Sequence, residues 1–386
     1  MTGMSPARRL QGVKSSPVRD LLALTQRPEV ISFAGGLPAP ELFDVDGWSD
    51  AFQKAAGHRP NLQYAPTEGD PVLRELLAQR MTARGIPTEP ADLLVTTGSQ
   101  QALTLVTTAL VEPGDVVAVE EPTYLAALQC FQLAGARLVP IASDEHGAVP
   151  SSLADVLERE RPSLVYLVPT FANPSGGTLT AARRQEIAAL AAAHDVWLVE
   201  DDPYGELRYQ GEPVPALTSY GEKVLYLGTL SKIGAPGLRI GWLRAPRELM
   251  PAAVIAKQAA DLHTSTIDQA AAAVYLANVD MNAHVRGLCA AYRERRDTMV
   301  AALPATVPAG TTWSDPDGGM FVWLRLPGAV DTARLLKKAL AHNVAFVPGA
   351  PFFATNPDRA TFRLSFTTNT PDEISEGMRR LAATLA

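Results

Sequence analysis

The stretch GTLSKIGAPGLRIGW, residues 228–242, places a lysine just after an apolar run, VLYLG (224–228). Lys232 stands there among small residues, with no easy route for its amine to bulk water. Burying an ammonium is costly unless it is paired or neutralised. Two readings compete on this segment alone: a strand-end lysine whose stem snorkels to the surface, and a lysine kept inside for its chemistry. The residues at the ends of the neighbouring strands decide between them.

Outward from this stretch, short Val- and Leu-rich runs alternate with helical periodicity. LLVTT (93–97), VVAVE (116–120), LVYLV (164–168), VWLVE (196–200), VLYLG (224–228) and LRIGW (238–242) predict strands. Between them, 102–110 (with Leu103, Val106 and Leu110 on one face), 124–134 and 180–193 predict helices. Such alternation predicts an α/β domain with a buried, mostly parallel sheet. Beyond about residue 246 the pattern changes to an Ala-rich helical region (248–277), a charged helix (283–302) and the strands MFVWLRL (320–326) and TFRLSFT (361–367), which suit a smaller α+β domain. The expected organisation is an N-terminal arm with part of the small domain (1–45), a large domain (46–275) and a small C-terminal domain (276–386).

The net charge is −7, with 34 Lys and Arg mixed among 41 Asp and Glu, so no basic footprint points to nucleic acid or an anionic membrane. No run approaches the ~18 apolar residues of a membrane span. The basic N-terminus lacks the apolar core of a signal peptide. Cys130 and Cys289 match no metal or redox spacing, which leads us to expect a reducing, cytoplasmic location.

In open α/β sheets, ligands bind at the carboxyl ends of the strands. After LLVTT comes Gly98-Ser99-Gln100-Gln101, an anion-binding turn at a helix start or an ordinary Ser cap. After VVAVE comes EPTY, ending at Tyr124, and after LVYLV comes PTFANPSGG with Asn173. Asp201-Asp202-Pro203-Tyr204 follows VWLVE; with Glu200 it could form a solvated loop or a metal site, although no histidine sits in ligand spacing with it. Thr229, Ser231, Lys232 and Arg239 follow VLYLG. Neither GxGxxG nor GxxxxGK[ST] occurs, which argues against a nicotinamide fold and a P-loop. A lysine, a carboxylate and a phosphate cradle along one sheet edge are what pyridoxal 5′-phosphate (PLP) requires.

With these residues in place, the chain resembles the fold-type I, class I/II PLP-dependent aminotransferases, in particular the 2-aminoadipate and aromatic/kynurenine branch. The resemblance runs through LTQRPEVISFAGGLPAPELF (24–43), QYAPTEG (63–69), TTGSQQAL (96–103), ANPSGG (172–177), EDDPYGEL (200–207), SKIGAPGLR (231–239), KQAADLHT (257–264), GGMFVWLRLP (318–327), NVAFVPGAPFFA (343–354) and FRLSF (362–366). It implies a large PLP-binding domain and a smaller α+β domain. It also implies that Lys232 forms the internal aldimine and then shuttles the proton between Cα and the cofactor. Asp201 would pair with the ring nitrogen, Asn173 and Tyr204 would reach the phenolic oxygen, and Tyr124 would lie against the ring. Ser99, Gln100, Thr229, Ser231 and Arg239, with the turn at Gly98, would hold the phosphate. Tyr64 would reach the phosphate of a neighbouring subunit, which implies a homodimer with shared active sites. Arg363 would bind the substrate carboxylate, with Asn173 and the backbone at Gly35-Gly36 completing that site. Arg19 matches the position that meets an acidic substrate side chain in the aminoadipate branch.

The implied reaction moves an amino group between an α-amino acid and a 2-oxo acid in two strokes. The sequence departs from the family pattern at Ala172 (usually glutamine), Ser175 (usually threonine), Gly234 (often a larger apolar residue) and Asp70 (frequently tyrosine). Ala172 and Gly234 are expected to enlarge or loosen the pocket. The same catalytic set also serves same-fold enzymes that run γ-replacement, cyclisation or amino-acid oxidation. The fold occurs as a sensor in transcription regulators too, but the acidic charge and the lack of room for a DNA-binding domain argue against that reading.

Overall fold

The computed structural model describes residues 7–10, 13 and 27–386. Among the described residues the first strand is the two-residue β1 (Ile31–Ser32). The central sheet then takes β2 (Leu93–Thr97), β3 (Val116–Glu121), β4 (Arg137–Asp144), β5 (Gly147–Ala148), β6 (Leu164–Leu167), β7 (Trp197–Asp201), β8 (Val224–Thr229) and β9 (Ile240–Arg244). Its order is β2-β9-β8-β7-β6-β3-β4-β5. The pairs β4–β3, β3–β6, β6–β7 and β7–β8 are parallel, as the sequence leads one to expect.

Alternate residues of these strands feed two separate apolar layers. Val119, Tyr166, Val199 and Leu225 enter one, while Ala118, Val165, Leu198 and Val224 enter the other. Each fully buried Val or Leu contributes about 1.5–3 kcal/mol of transfer free energy, and burial on both faces is why these runs read as continuously apolar.

Three differences from the sequence reading stand out. LRIGW was expected as a strand over 238–242; the strand is Ile240–Arg244, and it runs antiparallel to both β8 and β2. Residues 230–239 hold only a 3-10 turn at Pro236–Leu238, too little chain for the helical crossover that parallel strands need. β4 has no counterpart among the expected strands, since Pro140 interrupts it and only Ile141 is fully buried. The Ala-rich region 248–277 is two helices, Met250–Ala260 and Thr266–Asn278. Between them Leu262 adopts a left-handed φ of 67°, and the Ser265 side chain accepts from the Asp268 amide to start the second helix.

The C-terminal part contains the long helix Met281–Thr306 and a four-stranded antiparallel sheet. That sheet is built from β10 (Thr312–Trp313), β11 (Phe321–Arg325), β13 (Val347–Pro348) and β14 (Thr361–Ser365), in the order β10-β11-β14-β13. β1 pairs in parallel with β12 (Val344–Ala345), and the Ser365 amide donates to the Phe33 carbonyl at 2.8 Å. Residues 31–34 are thereby tied to strands from the far end of the chain.

Glu120, on β3, faces the second apolar layer and is 2% exposed. Burial pushes its carboxyl up to about 8, nearby Asp144 adds to this, and the Ala148 amide and Arg183 oppose it. The folded protein therefore keeps a proton that the unfolded chain releases near the ordinary carboxylate value. Stability falls as pH rises from that value through about 8. Glu120→Gln is expected to raise the melting temperature at pH 8.5 by more than at pH 5.5, as read by calorimetry; an equal change at both values would reject this account of Glu120.

Candidate active site

The carboxyl ends of β2, β3, β6, β7 and β8 open onto one cleft of about 290 Å³, closed by Phe321, Arg363 and residues 35–37. Strand parity decides which acids face it. Asp201 shares its face with Val199 and enters the cleft, while Glu200 and Asp202 point to the opposite side of the sheet. There Glu200 accepts from the amides of Leu217 (3.0 Å) and Thr218 (3.1 Å). Asp202 accepts from Arg84 (2.9 Å) and Tyr226 (2.6 Å). The three acids do not converge, and among the described residues no cluster of His, Cys, Asp or Glu could hold a metal.

Asp201 is 4% exposed. Its Oδ2 accepts from the Tyr166 hydroxyl at 2.7 Å; its Oδ1 is buried and has no hydrogen-bond partner among the described residues. Burial pushes this carboxyl up to about 7, with the Tyr166 bond acting against the shift and Asp202 adding to it. A buried acceptor left without a donor marks a place for a ligand's N–H.

Lys232 is half-buried and lines the cleft, its amine donating to the Gly36 carbonyl at 2.9 Å. Burial, with Arg363 and Arg239 nearby, brings this amine down to about 8. Arg363 is 3% exposed, against the reading of a solvent-facing strand arginine. Its neighbours Phe362 and Leu364 take the core side of β14, which turns Arg363 inward over the rings of Phe321 (4.1 Å) and Phe352 (5.2 Å). It donates to Asn173 Oδ1 at 2.6 Å and to the Ala34 carbonyl at 2.8 Å. Its buried Nε has no partner among the described residues. Guanidinium offers five N–H groups, so donors remain for a bidentate anion. Burial lowers this group to about 10, against the opposing pull of Tyr204 and Tyr124.

At the other end of the cleft, Ser99 and Gln100 open the helix Ser99–Leu110, where unpaired amides and the helix dipole favour an anion. Gly98 precedes it at φ 77°; a Cβ there would lie 2.2 Å from Arg239 Nη2. The Thr229 hydroxyl donates to Ser231 Oγ at 2.8 Å, and both residues line the cleft. Arg239 is exposed at the rim, where it donates to the carbonyls of Pro236 and Thr97. Between the two ends, the Tyr124 hydroxyl donates to Gln100 Oε1 at 3.3 Å, and Tyr204 hydrogen-bonds Asn173. Burial pushes the Tyr124 hydroxyl up to about 12, so it stays protonated.

The cleft thus gathers most of the residues singled out in the sequence. Gly98 lies just behind the end lined by Ser99 and Gln100. Tyr64 is not among its lining: it is 78% exposed, its ring edge-on to His263 at 5.8 Å. Arg19 lies outside the described residues. Neither Ala172 nor Gly234 enlarges the cleft. Ala172 is buried in the apolar layer, and a Cβ at Gly234 would sit 3.2 Å from the Leu230 carbonyl and 3.3 Å from Trp48. Asp70 caps the helix Pro71–Ala83, accepting from the Leu73 amide, and Ser175 accepts from the Gly177 amide. Phe321, which lines the cleft, and Tyr166, behind it, have no role in the sequence reading. Phe321 lies within GGMFVWLRLP; its clue was a position on a strand paired with the one that carries Arg363.

These residues fit PLP: an anion cradle, an orphan carboxylate oxygen for a ring N–H, and a lysine amine and a guanidinium that line the same cleft. Residues 29–381 match the family described as aminotransferase class I and II. The aromatic-amino-acid aminotransferase 1 of Thermococcus litoralis is 43% identical, over 97% of this chain and 92% of that protein. The 2-aminoadipate transaminase of Thermus thermophilus is 39% identical, over 97% and 94%. The crystal structure of Pyrococcus horikoshii kynurenine aminotransferase superposes with a TM-score of 0.93 at 39% identity, covering 98% of this chain and 96% of that one. The chain belongs to the class I and II aminotransferases. It is a PLP-dependent enzyme that moves an amino group between amino acids and 2-oxo acids.

Gly98→Ala would combine a strained φ with a clash against Arg239. It is expected to weaken PLP binding at least about tenfold while leaving the binding of pyridoxal, which lacks the phosphate, within about twofold. Equal losses for both compounds in absorbance titrations of the cofactor-free protein would show that the turn is not the phosphate site.

Proposed function

We propose that this aminotransferase takes donors with apolar and aromatic side chains, working as a cytoplasmic homodimer with shared active sites. The observation that supports the donor class is the use of charge in the cleft. Among the described residues its cations are Lys232, Arg239 and Arg363, and the reading gives each another task. Leu37 and Phe321 provide apolar surface beside them. The relatives named for aromatic amino acids and kynurenine support the same reading. Two free cysteines, Cys130 and Cys289, support a reducing compartment.

PLP, when bound, supplies the electron sink that makes the Cα–H bond of an amino acid labile. The protein's part is to hold and orient. Arg363, fixed by Asn173 and Ala34, meets the carboxylate common to all amino acids. Asp201 Oδ1 holds a proton on the ring nitrogen, and Ser99, Gln100, Thr229, Ser231 and Arg239 hold the phosphate. Asn173 and Tyr204 approach the phenolic oxygen, and Tyr124 covers the ring. Lys232, with its amine lowered to about 8, has a neutral fraction at physiological pH and can take and return the Cα proton. Tyr64, so exposed on one protomer, is read as reaching the partner's phosphate.

Three measurements test this. Lys232→Ala is expected to lower amino transfer by about a thousandfold or more, in line with loss of a general base; retained turnover would overturn its role. Arg363→Leu is expected to raise KM for every amino donor about 10- to 100-fold, since charge-assisted hydrogen bonds are lost. In a donor panel of glutamate, 2-aminoadipate, leucine, kynurenine and phenylalanine, the last three should show the highest kcat/KM. A leading 2-aminoadipate would reject the apolar assignment and turn attention to Arg19.

Shared sites make a separate prediction. Mixing inactive Lys232→Ala with an impaired Tyr64→Ala variant is expected to restore about a quarter of wild-type activity through hybrid dimers with one intact site. No recovery after confirmed subunit exchange would place each site within a single chain.

A further inference from the structure

We propose that Tyr166 is a positioning residue for amino transfer: its hydroxyl binds one oxygen of Asp201 so that the other, as an anion, is aimed at the cofactor's ring nitrogen. The proposal rests on the assignment of Asp201 to that nitrogen.

Register makes the contact possible. β6 and β7 are neighbours in parallel register, with Tyr166 opposite Val199. Asp201 lies two residues beyond Val199 and on the same face, so a long side chain from Tyr166 runs toward it. The Oη to Oδ2 distance is 2.7 Å, within the range of O–H···O⁻ bonds. The tyrosine is fully buried, packed edge-on against Phe131 at 5.6 Å in the layer that also holds Val119 and Val199. Phenylalanine would fill that space equally well. A hydroxyl in an apolar layer is costly without a partner, and Asp201 is the partner found.

The asymmetry of the carboxylate gives the contact its meaning. Asp202, which accepts from Tyr226, also keeps a buried and unpartnered Oδ1, but only Asp201 lines the cleft that holds Lys232 and Arg363, so its free oxygen is the one placed to meet a cofactor there. Tyr166 itself does not line the cleft, so it acts through Asp201 alone. Without its hydroxyl the carboxylate loses its described donor and is free to rotate. Burial then favours the neutral acid, which stabilises a protonated ring nitrogen poorly.

The test titrates PLP into cofactor-free protein and measures the half-reaction with a good donor. Tyr166→Phe is expected to weaken PLP about tenfold and lower kcat about tenfold or more, with donor KM within about twofold. Asp201→Asn should weaken PLP at least as much, and adding Tyr166→Phe to it should have no further effect. For a cofactor analogue carrying carbon in place of the ring nitrogen, wild type and Tyr166→Phe should bind equally. Unchanged PLP affinity in Tyr166→Phe, or a loss that persists with the carbon analogue, would overturn the proposal, the latter marking a purely structural tyrosine. Wild-type PLP affinity in Asp201→Asn would instead remove the Asp201 reading and this proposal with it. Should Tyr166→Phe not fold, Tyr166→Met carries the same comparison.

Discussion

The structure turns on a buried positive charge. The Arg363 guanidinium, 3% exposed, joins three distant parts of the chain: its own strand β14, Asn173 in the loop after β6, and the Ala34 carbonyl just after β1. An unpaired buried cation would be strongly destabilising, and Arg363 here has no carboxylate partner within its two hydrogen bonds. Two neutral oxygens and the faces of Phe321 and Phe352 stabilise it instead. The pairing of β1 with β12 and the Ser365–Phe33 bond hold the Ala34 carbonyl in place. With no carboxylate counterion among the described residues, the guanidinium keeps its attraction available for a carboxylate.

Charge also governs the run Glu200-Asp201-Asp202. Three successive acids on one strand end would repel one another if they shared a face. The two-residue period sends them to opposite sides, where Arg184 and Arg84 stand near Glu200 and Asp202. Only Asp201 is left in the cleft without an arginine. One strand end thus sends two acids to buried partners and one into the cleft.

Much of this was legible in the sequence. The strands β2, β3, β6, β7 and β8 read directly as Val/Leu runs because both of their faces are buried, and the residues after them lie together because parallel strands end on one edge. The direction of β9 was not legible, because strand propensity carries no sign; only the short connection 230–239 did. β4 was hidden by Pro140 and by its half-exposed surface. The break in the Ala-rich region depended on Ser265 capping and on the left-handed Leu262, features that composition masks. Arg363 showed its face through Phe362 and Leu364, but its burial depended on Phe352 and Ala34, far apart in sequence. Tyr166 sat in plain view in LVYLV and read as core, since a hydroxyl's partner across a sheet has no signature in one strand.

The carbonyls of Ala34 and Gly36 lie two residues apart, and one accepts from Arg363 while the other accepts from Lys232. Gly36 also packs so closely that a Cβ there would lie 2.8 Å from Phe321, which stacks on Arg363. The Arg363 guanidinium and the Lys232 amine are thus moored to one short length of backbone. A shift of that backbone loosens both moorings together, so under the roles proposed for them carboxylate recognition and release of the lysine are mechanically coupled.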